Sequence, residues 1–164
     1  MKEAFELDTR ELNSTDAPAM AELYQGNPQY FEHTGEDPSE ELALRDLADI
    51  PDDVDRRKKR VYGFFRSGQL VAIIDLLFGY PDDACAYIGL FMVAHGEQGR
   101  GVGSRVVAHV LGRLKQDGFR RVRLAYIEGN LQSRGFWMHC GFKATGEVGT
   151  FNGRRVVVAQ KELA

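Results

Sequence analysis

Cysteine is scarce in this 164-residue chain, and long apolar runs are missing from it. Cys85 and Cys140 are far apart in sequence and form no C-x-x-C pair, so neither a disulfide framework nor a metal site is expected. A membrane-spanning helix needs about 20 consecutive apolar residues, whereas the apolar runs here have the length of a strand. No signal peptide is recognised before Phe5. We therefore expect a cytoplasmic protein with no membrane partner and no bound metal.

An excess of basic charge is also missing, because 21 Lys and Arg residues stand against 24 Asp and Glu, giving a formal net charge of -3. Binding to nucleic acid depends largely on clustered Lys and Arg side chains. The one basic run, from Arg56 to Arg60, is short and follows a strongly acidic stretch. No nucleic-acid partner is therefore expected.

Apolar periodicity predicts alternating strands and helices in one domain that spans residues 1–164. Two turn signals, Ser67-Gly68 and Asn152-Gly153, predict β-hairpins. Gly89 lies inside the predicted fourth strand, where glycine often marks a bulge or the close approach of a ligand. The predicted strands are 5–12, 61–65, 70–78, 84–93, 121–127, 143–150 and 154–161, and the predicted helices are 19–25, 38–50, 102–116 and 131–139.

A glycine-rich loop, Gln98 to Gly103, joins the predicted fourth strand to the longest predicted helix. The first amides of a helix lack internal partners and its dipole is positive there, so a phosphate is stabilised at that end. The spacing excludes a dinucleotide fingerprint, since Ser104 stands where a third glycine is needed, and the loop lacks the lysine of a nucleotide P-loop. The sequence thus predicts a phosphate site of another kind.

Two patterns together resemble the GNAT superfamily of N-acetyltransferases. Gln98, Gly101 and Gly103 match [QR]-x-x-G-x-[GA] after the fourth strand, and Asn130, an aromatic pair at Phe136 and a later G-F follow at the expected separation. The resemblance covers roughly residues 61–164. It implies an α/β (α+β) fold: a mixed, mostly antiparallel sheet of about seven strands, helices on both faces, and a splay between the fourth and fifth strands.

The resemblance implies acetyl-CoA as the cosubstrate. Backbone groups of the fourth strand would bind the pantetheine arm, and loop amides would hold the pyrophosphate. Asn130 would contact the cofactor farther along, although the residue is equally suited to cap the following helix, and the two roles are compatible. The implied cofactor-binding residues are Phe91, Met92, Val93, Gln98, Gly99, Arg100, Gly101, Val102, Gly103, Ser104, Asn130, Ser133 and Phe136.

The reaction implied by the resemblance is direct attack of a small-molecule or peptide amine on the thioester, with backbone amides stabilising the oxyanion. Many family members place a Tyr general acid in the aromatic pair, but that position is Trp137 here, and an indole N–H does not supply a proton. Tyr126 is a substitute candidate. The fourth strand carries no carboxylate, so Asp75 on the preceding strand is the candidate general base.

The acceptor pocket is expected to be walled by aromatic residues, namely Tyr30, Phe31, Tyr80 and Trp137. Between residues 32 and 55, ten acidic residues face one basic residue, Arg45. Such a run usually forms solvated surface, and the alternative is an acidic wall for a cationic acceptor. The resemblance also leaves room for a homodimer. A catalytically silent acyl-CoA-binding protein of the same fold is the alternative to an enzyme.

Overall fold

The computed structural model describes residues 5–163, which form a seven-stranded sheet flanked by five α-helices. The strands are β1 (Asp8–Glu11), β2 (Lys59–Arg66), β3 (Gln69–Phe78), β4 (Cys85–Val93), β5 (Arg121–Ile127), β6 (Lys143–Phe151) and β7 (Arg154–Glu162). The helices are α1 (Ala17–Gln25), α2 (Pro28–Thr34), α3 (Glu40–Ala48), α4 (Val102–Gln116) and α5 (Leu131–His139). Within this described part of the chain, no helix is long and apolar enough to cross a membrane.

The strand order is β1-β2-β3-β4-β5-β7-β6, and every neighbouring pair is antiparallel except β4 and β5. Helix α4 connects these two parallel strands, as a parallel pair requires a long crossover. Helices α1, α2 and α3 cover one face of the sheet, and α4 and α5 cover the other. The expected fold class, including helices on both faces, is confirmed.

Each face of the sheet has its own apolar core. Helix α4 packs Val106, Val110 and Leu114, among others, against one face because these residues recur at helical spacing. On the other face, Met20 of α1 and Ile73 of β3 are fully buried. The sheet is therefore covered on both sides where β3 and β4 lie at its centre.

Strands β4 and β5 separate halfway along their length, which confirms the predicted splay. Residues Cys85–Ile88 of β4 pair with Arg121–Leu124 of β5, and the pairing stops there. Opposite the same point, Asp75 pairs with Leu90 and Leu76 pairs with Ile88, so Gly89 is the extra residue of a β-bulge. The bulge predicted at Gly89 is confirmed, and it bends β4 away from β5. A gap opens between the second halves of the two strands.

Helix α2 was not predicted, since it lies between the predicted helices 19–25 and 38–50. In the structure Pro28 occupies the first helical position, where its missing N–H costs nothing and its fixed φ suits a helix. Gly35 ends α2 in the left-handed conformation, at φ +77°. Strand β1 is shorter than its predicted range. The other predicted strands and helices agree with the structure to within two residues at each end, and the largest differences are at the start of α1, at both ends of α3 and at the start of β2.

Candidate functional site

The gap between β4 and β5 exposes backbone groups of β4. The Ala94 amide donates to Val71 O of β3 (2.8 Å), so that alternate residues of β4 bond to β3. By this alternation the amide and carbonyl of Met92 face β3, whereas those of Phe91 and Val93 face the gap. Of the three β4 residues expected to offer backbone hydrogen bonds, only Phe91 and Val93 face the gap. The Met92 backbone pairs with β3, and the Met92 side chain is buried.

The glycine-rich loop ends at Gly101, which has φ +76° and directly precedes α4. The first helical hydrogen bond runs from the Arg105 amide to Gly101 O (3.1 Å), so the amides of residues 102–104 precede the hydrogen-bonded ladder. Gly99, at φ +78°, and Gly101 both need a conformation that other residues rarely adopt. The loop therefore presents unpaired amides at the positive end of a 15-residue helix.

A hydrogen-bond clamp joins this loop to the end of β4. The Gln98 side chain donates through Nε2 to Val93 O (2.9 Å) and to Asn27 Oδ1 (2.6 Å). Asn27 donates in turn through Nδ2 to Val93 O (3.1 Å) and Leu23 O (3.0 Å). The Val93 carbonyl is thus occupied, and its amide is the group left toward the gap. Gln98 shapes the loop with its side chain, a role that the sequence motif alone did not indicate.

An aromatic layer lies beneath the gap on the α4 and α5 face. The rings of Phe91 and Phe136 stack at 5.5 Å, and Trp137 meets both edge-on. A Cβ on Gly103 would lie 3.0 Å from the Phe136 ring, so glycine there lets α4 approach α5 closely. Trp137 is only 8% exposed and also packs on Phe142, so most of its surface belongs to the core, and its place in the acceptor wall stays a prediction.

Helix α5 is held at the far side of the gap by Asn130. Its Oδ1 accepts a hydrogen bond from the Ser133 amide (3.1 Å), which is the predicted helix cap, and the residue is buried. Ser133 is half-buried in the first turn. Tyr126 lies on the part of β5 that no longer pairs with β4, and its half-buried side chain packs on the same core as Phe91.

Asp75 lies on the opposite face of the sheet, in a buried ion pair that the sequence did not reveal. Its Oδ2 accepts a hydrogen bond from Lys59 Nζ at 2.9 Å, and the two side chains are 12% and 6% exposed. Lys59 Nζ also donates to Asp49 O (2.6 Å). Burial raises the pKa of the Asp75 carboxyl, and the Lys59 charge opposes that rise. The other oxygen, Oδ1, is buried without a hydrogen-bond partner.

Gly89 separates the Asp75 carboxylate from the gap. A Cβ at Gly89 would lie 3.0 Å from Asp75 Oδ2 and 3.8 Å from Oδ1, and Gly89 itself is exposed. Any side chain here would crowd the carboxylate. The absence of a side chain at Gly89 therefore leaves space beside Asp75 Oδ2, the oxygen that Lys59 binds, at the point where β4 leaves β5.

Further acidic residues lie near Asp75, on α3 and after α2. Asp46 Oδ2 accepts a hydrogen bond from the Tyr24 hydroxyl (2.8 Å), and burial raises the pKa of the Asp46 carboxyl. Glu36 pairs with Arg45, and burial and the Asp46 charge both raise its pKa. Tyr30 is half-buried, and its pKa is raised by burial and by these two carboxylates. Tyr30 thus lies close enough to these acidic residues to feel their charge, and its place in the acceptor wall stays a prediction.

Two of the expected acceptor residues are not brought to the gap. Phe31 is buried in the core between α1 and α3, where it packs on Tyr24 at 5.2 Å. Tyr80 follows β3 and contacts Tyr87 near the start of β4, at the end where β4 and β5 are still paired. About five residues of extended strand, some 16 Å, separate that end from the middle of the gap.

The turn between β6 and β7 reaches across to α2. Asn152 Nδ2 and Arg154 Nη1 both donate to Thr34 O, at 3.2 and 3.4 Å. Among residues 5–163 no group of His, Cys, Asp and Glu is arranged to hold a metal ion.

The sequence and the fold were compared with known proteins. The model of the acetyltransferase (GNAT) family matches residues 18–142, which is more than half of the chain. A search of curated proteins finds no significant match.

Solved structures share the fold at low sequence identity. An acetyltransferase from Thermus thermophilus superposes with a TM-score of 0.78 at 24% identity, covering 96% of this chain and 97% of the other. The PaiA N-acetyltransferase from Thermoplasma acidophilum, solved in complex with coenzyme A, gives 0.70 at 15% identity over 96% and 99%. The ribosomal-protein-S18-alanine N-acetyltransferase from Escherichia coli gives 0.69 at 15% over 96% and 94%.

Proposed function

Because the chain belongs to the GNAT acetyltransferase family, we propose that it transfers the acetyl group of acetyl-CoA to the primary amine of a small molecule or peptide. Members of this family act on amine acceptors with acetyl-CoA. The observation that carries the proposal is a continuous row of backbone amides. The row begins with the unpaired amides of the loop at the start of α4 and continues with the amides of β4 that face the gap.

The residues of this run fit acetyl-CoA. Amides of residues 99–104 and the α4 dipole suit the pyrophosphate, and Arg100 adds positive charge beside them. The Phe91 and Val93 backbone groups suit the two amides of the pantetheine arm. The stacked rings of Phe91 and Phe136 supply an apolar surface beside it. When bound, acetyl-CoA supplies the activated thioester.

Asp75 is the general base in this proposal. The neutral amine nitrogen attacks the thioester carbonyl, a gap-facing β4 amide donates a hydrogen bond to the developing oxyanion, and the Asp75 carboxylate accepts, through water, the proton that the attacking nitrogen then loses. The C–S bond then breaks, and the thiolate takes a proton from water or from Tyr126. At neutral pH, deprotonating a Lys-like amine costs about 4–5 kcal/mol. Burial raises the pKa of the Asp75 carboxyl, which makes its carboxylate a stronger base for that proton than a carboxylate with the usual pKa.

The test is an acetyl-CoA turnover assay, in which a thiol-reactive dye records release of coenzyme A with a panel of amines. We expect acceptor-dependent release, and an Asp75→Asn variant to lose at least about 100-fold in kcat with coenzyme A affinity retained. Asp8→Asn, on the exposed edge strand β1, is the charge-matched control. Failure of every amine to release thiol from a protein that binds coenzyme A would defeat the proposal.

A silent acyl-CoA-binding protein is the second candidate. The observation that favours it is Trp137, which occupies the position where the resemblance expects a Tyr proton donor and is buried in the core. This candidate predicts tight coenzyme A binding with no transfer to any amine. Measurable turnover eliminates it.

A further inference from the structure

Four apolar side chains of β5 and β7 lie on the face of the sheet that α1, α2 and α3 cover elsewhere. Leu124 packs in the core under α4 and α5, so the next residue, Ala125, points to the other face. Ala125 pairs with Val158, and Ile127 pairs with Val156, so all four side chains share that face. They are half-buried, and neither apolar core formed by residues 5–163 includes them. We call these four residues the apolar strip.

The neighbouring strands leave the apolar strip open at its sides. Gly149 of β6 pairs with Val156, and a Cβ on Gly149 would lie 3.2 Å from Val156 Cγ2, so glycine leaves that valine uncovered. Phe151, two residues farther along β6, points to the same face and is 41% exposed. On the other side of the strip, the pairing of β4 with β5 stops at Leu124. The strip is therefore an apolar surface that borders the gap.

The proposed transfer brings the acceptor to this same face of the sheet. Asp75, the proposed base, lies on this face, and the absence of a side chain at Gly89 leaves space beside it. Leu90 and Met92 of β4 also point to this face, but they pack in the core under α1 and α3. An amine near Asp75 therefore meets open apolar surface across the gap, on β5 and β7.

The size of this surface indicates what kind of group covers it. Neighbouring strands lie about 5 Å apart, and two residues along a strand span about 7 Å. The apolar strip, extended by Phe151 on the next strand, therefore measures roughly 10 Å by 7 Å. A stable protein interface buries about 800 Å² on each partner, which is on the order of ten times this area. The surface is too small for a second protein chain, and it fits a short alkyl chain or one aromatic ring.

We infer that the acceptor is a primary amine with an uncharged apolar body, which lies on the apolar strip while the amine nitrogen lies beside Asp75. This inference rests on the proposed function. An apolar body that covers the strip is removed from water together with it, and this favours binding in proportion to the area removed. A second charge on that body would lose its hydration against Ala, Ile and Val side chains, which offer it no partner. The strip thus favours alkylamines and arylalkylamines over amines with a second charge.

The test measures kcat/KM for ethylamine, butylamine and hexylamine, which carry the same ammonium group on chains of increasing length. Complete burial of a methylene group favours binding roughly 4-fold, and the strip covers one side of the chain, so we expect about 2-fold for each methylene. Hexylamine should therefore exceed ethylamine at least about 10-fold, mainly through a lower KM. 1,6-Diaminohexane, which ends in a second ammonium group, should be a poorer substrate than hexylamine.

Two double variants locate the effect on one face of β7. Val156→Thr/Val158→Thr puts hydroxyl groups on the apolar strip in side chains of nearly the same shape, and it should lower the ratio of hexylamine to ethylamine at least about 3-fold. The control is Val148→Thr/Val157→Thr, which changes a cross-strand pair on the opposite face and should retain the ratio. Circular dichroism checks that both variants are folded, and the series on the unsubstituted protein does not depend on them.

The outcomes separate this inference from the proposed function. A kcat/KM that is flat or falls with chain length, a better reaction with the diamine, or an equal loss in both double variants overturns the inference and leaves acetyl transfer standing. If no amine reacts, calorimetry of the same amines on the protein saturated with coenzyme A decides. Dissociation constants that fall with chain length only while the strip is intact support the inference, and equal constants or no binding refute it.

Sedimentation of the unsubstituted protein and of Val156→Thr/Val158→Thr tests the other occupant of the strip. We expect both proteins to have the same oligomeric state. A dimer that dissociates in the double variant would show that a second copy covers the apolar strip, and it would overturn the inference.

Discussion

Replacing Lys59 by Met tests the buried ion pair that holds Asp75. The substitution conserves the length and apolar character of the side chain but removes the ammonium group. Two hydrogen bonds are lost, one to Asp75 Oδ2 and one to Asp49 O. Asp49 is exposed, so water replaces the donor at its carbonyl. Asp75 is left as a buried carboxylate with no compensating charge in contact.

The expected loss follows from the burial of both partners, whose side chains are 6% and 12% exposed. Removing one member of a buried pair typically costs about 3–5 kcal/mol, because the remaining charge stays desolvated. For a domain of this size that loss corresponds to a fall of roughly 6–20 °C in the unfolding midpoint. The loss of about 3–5 kcal/mol is a large part of the total free energy of unfolding, which is ~5–15 kcal/mol for most proteins.

The loss should depend on pH with a definite sign. Burial already raises the folded-state pKa of Asp75, and without Lys59 it rises further. A carboxyl whose folded pKa lies above its unfolded value destabilises the fold when ionised and ceases to do so once protonated. The loss in Lys59→Met is therefore greatest near about pH 7.5 and shrinks toward about pH 5, as Asp75 takes up a proton in the folded state.

Urea denaturation at both pH values measures this directly. Arg60→Met, on the same strand, removes an exposed pair with Glu11 and should cost less than about 1 kcal/mol. The double variant Lys59→Met/Asp75→Leu should recover most of the lost stability, since an apolar pair needs no compensation. A loss below about 1 kcal/mol at the higher pH, or an equal loss at both pH values, would refute the reasoning.

Three further predictions concern the loop and the thiols. Gly101→Asp should weaken coenzyme A binding at least about 10-fold, as measured by calorimetry, because it strains a left-handed position and adds a carboxylate at the proposed phosphate site. The control is Gly112→Ala, in open space on α4, which should leave the affinity unchanged. Gln98→Ala should raise KM for acetyl-CoA roughly 3–10-fold with a smaller effect on kcat, and an unchanged KM would contradict the clamp. Cys85 and Cys140 should react slowly with a thiol reagent in the folded protein. Burial raises the pKa of the Cys85 thiol to about 11, and it also raises the pKa of the Cys140 thiol. Fast labelling in the absence of urea would contradict this prediction.

The sequence predicted the features that depend on neighbouring residues. The α4 helix, both hairpin turns and the glycine loop are local patterns, so periodicity and turn residues were sufficient to find them. The Gly89 bulge belongs to this group, because glycine inside an apolar strand is itself a local signal. The mixed, mostly antiparallel sheet and the splay between its fourth and fifth strands followed from the resemblance and not from these patterns, and the strand order came from the structure.

The site residues divide along the same line. The loop amides follow from the position of a helix end, whereas Phe91 and Val93 were implied by the resemblance. Tyr80 was expected near them because it follows β3 in sequence. Strand β3 runs antiparallel to β4, so its last residues lie beside the start of β4, at the end of the strands away from the gap. Helix packing, which sequence does not encode locally, brings Asp46 toward Asp75.

The Lys59–Asp75 pair shows most clearly what only the tertiary structure decided. The turn after β2 places Arg66 opposite Gln69. If that register continued along the whole of β2 and β3, Asp75 would lie opposite Arg60, and Lys59 would lie on the other face of the sheet. A bulge at Phe64 and Phe65 shifts the register by one residue, so that Asp75 lies opposite Val61 and diagonal to Lys59 on one face. The sequence by itself determined a glycine loop at the start of α4 and a glycine bulge in β4. Register, which depends on packing across the whole sheet, determined which charges lie beside that bulge.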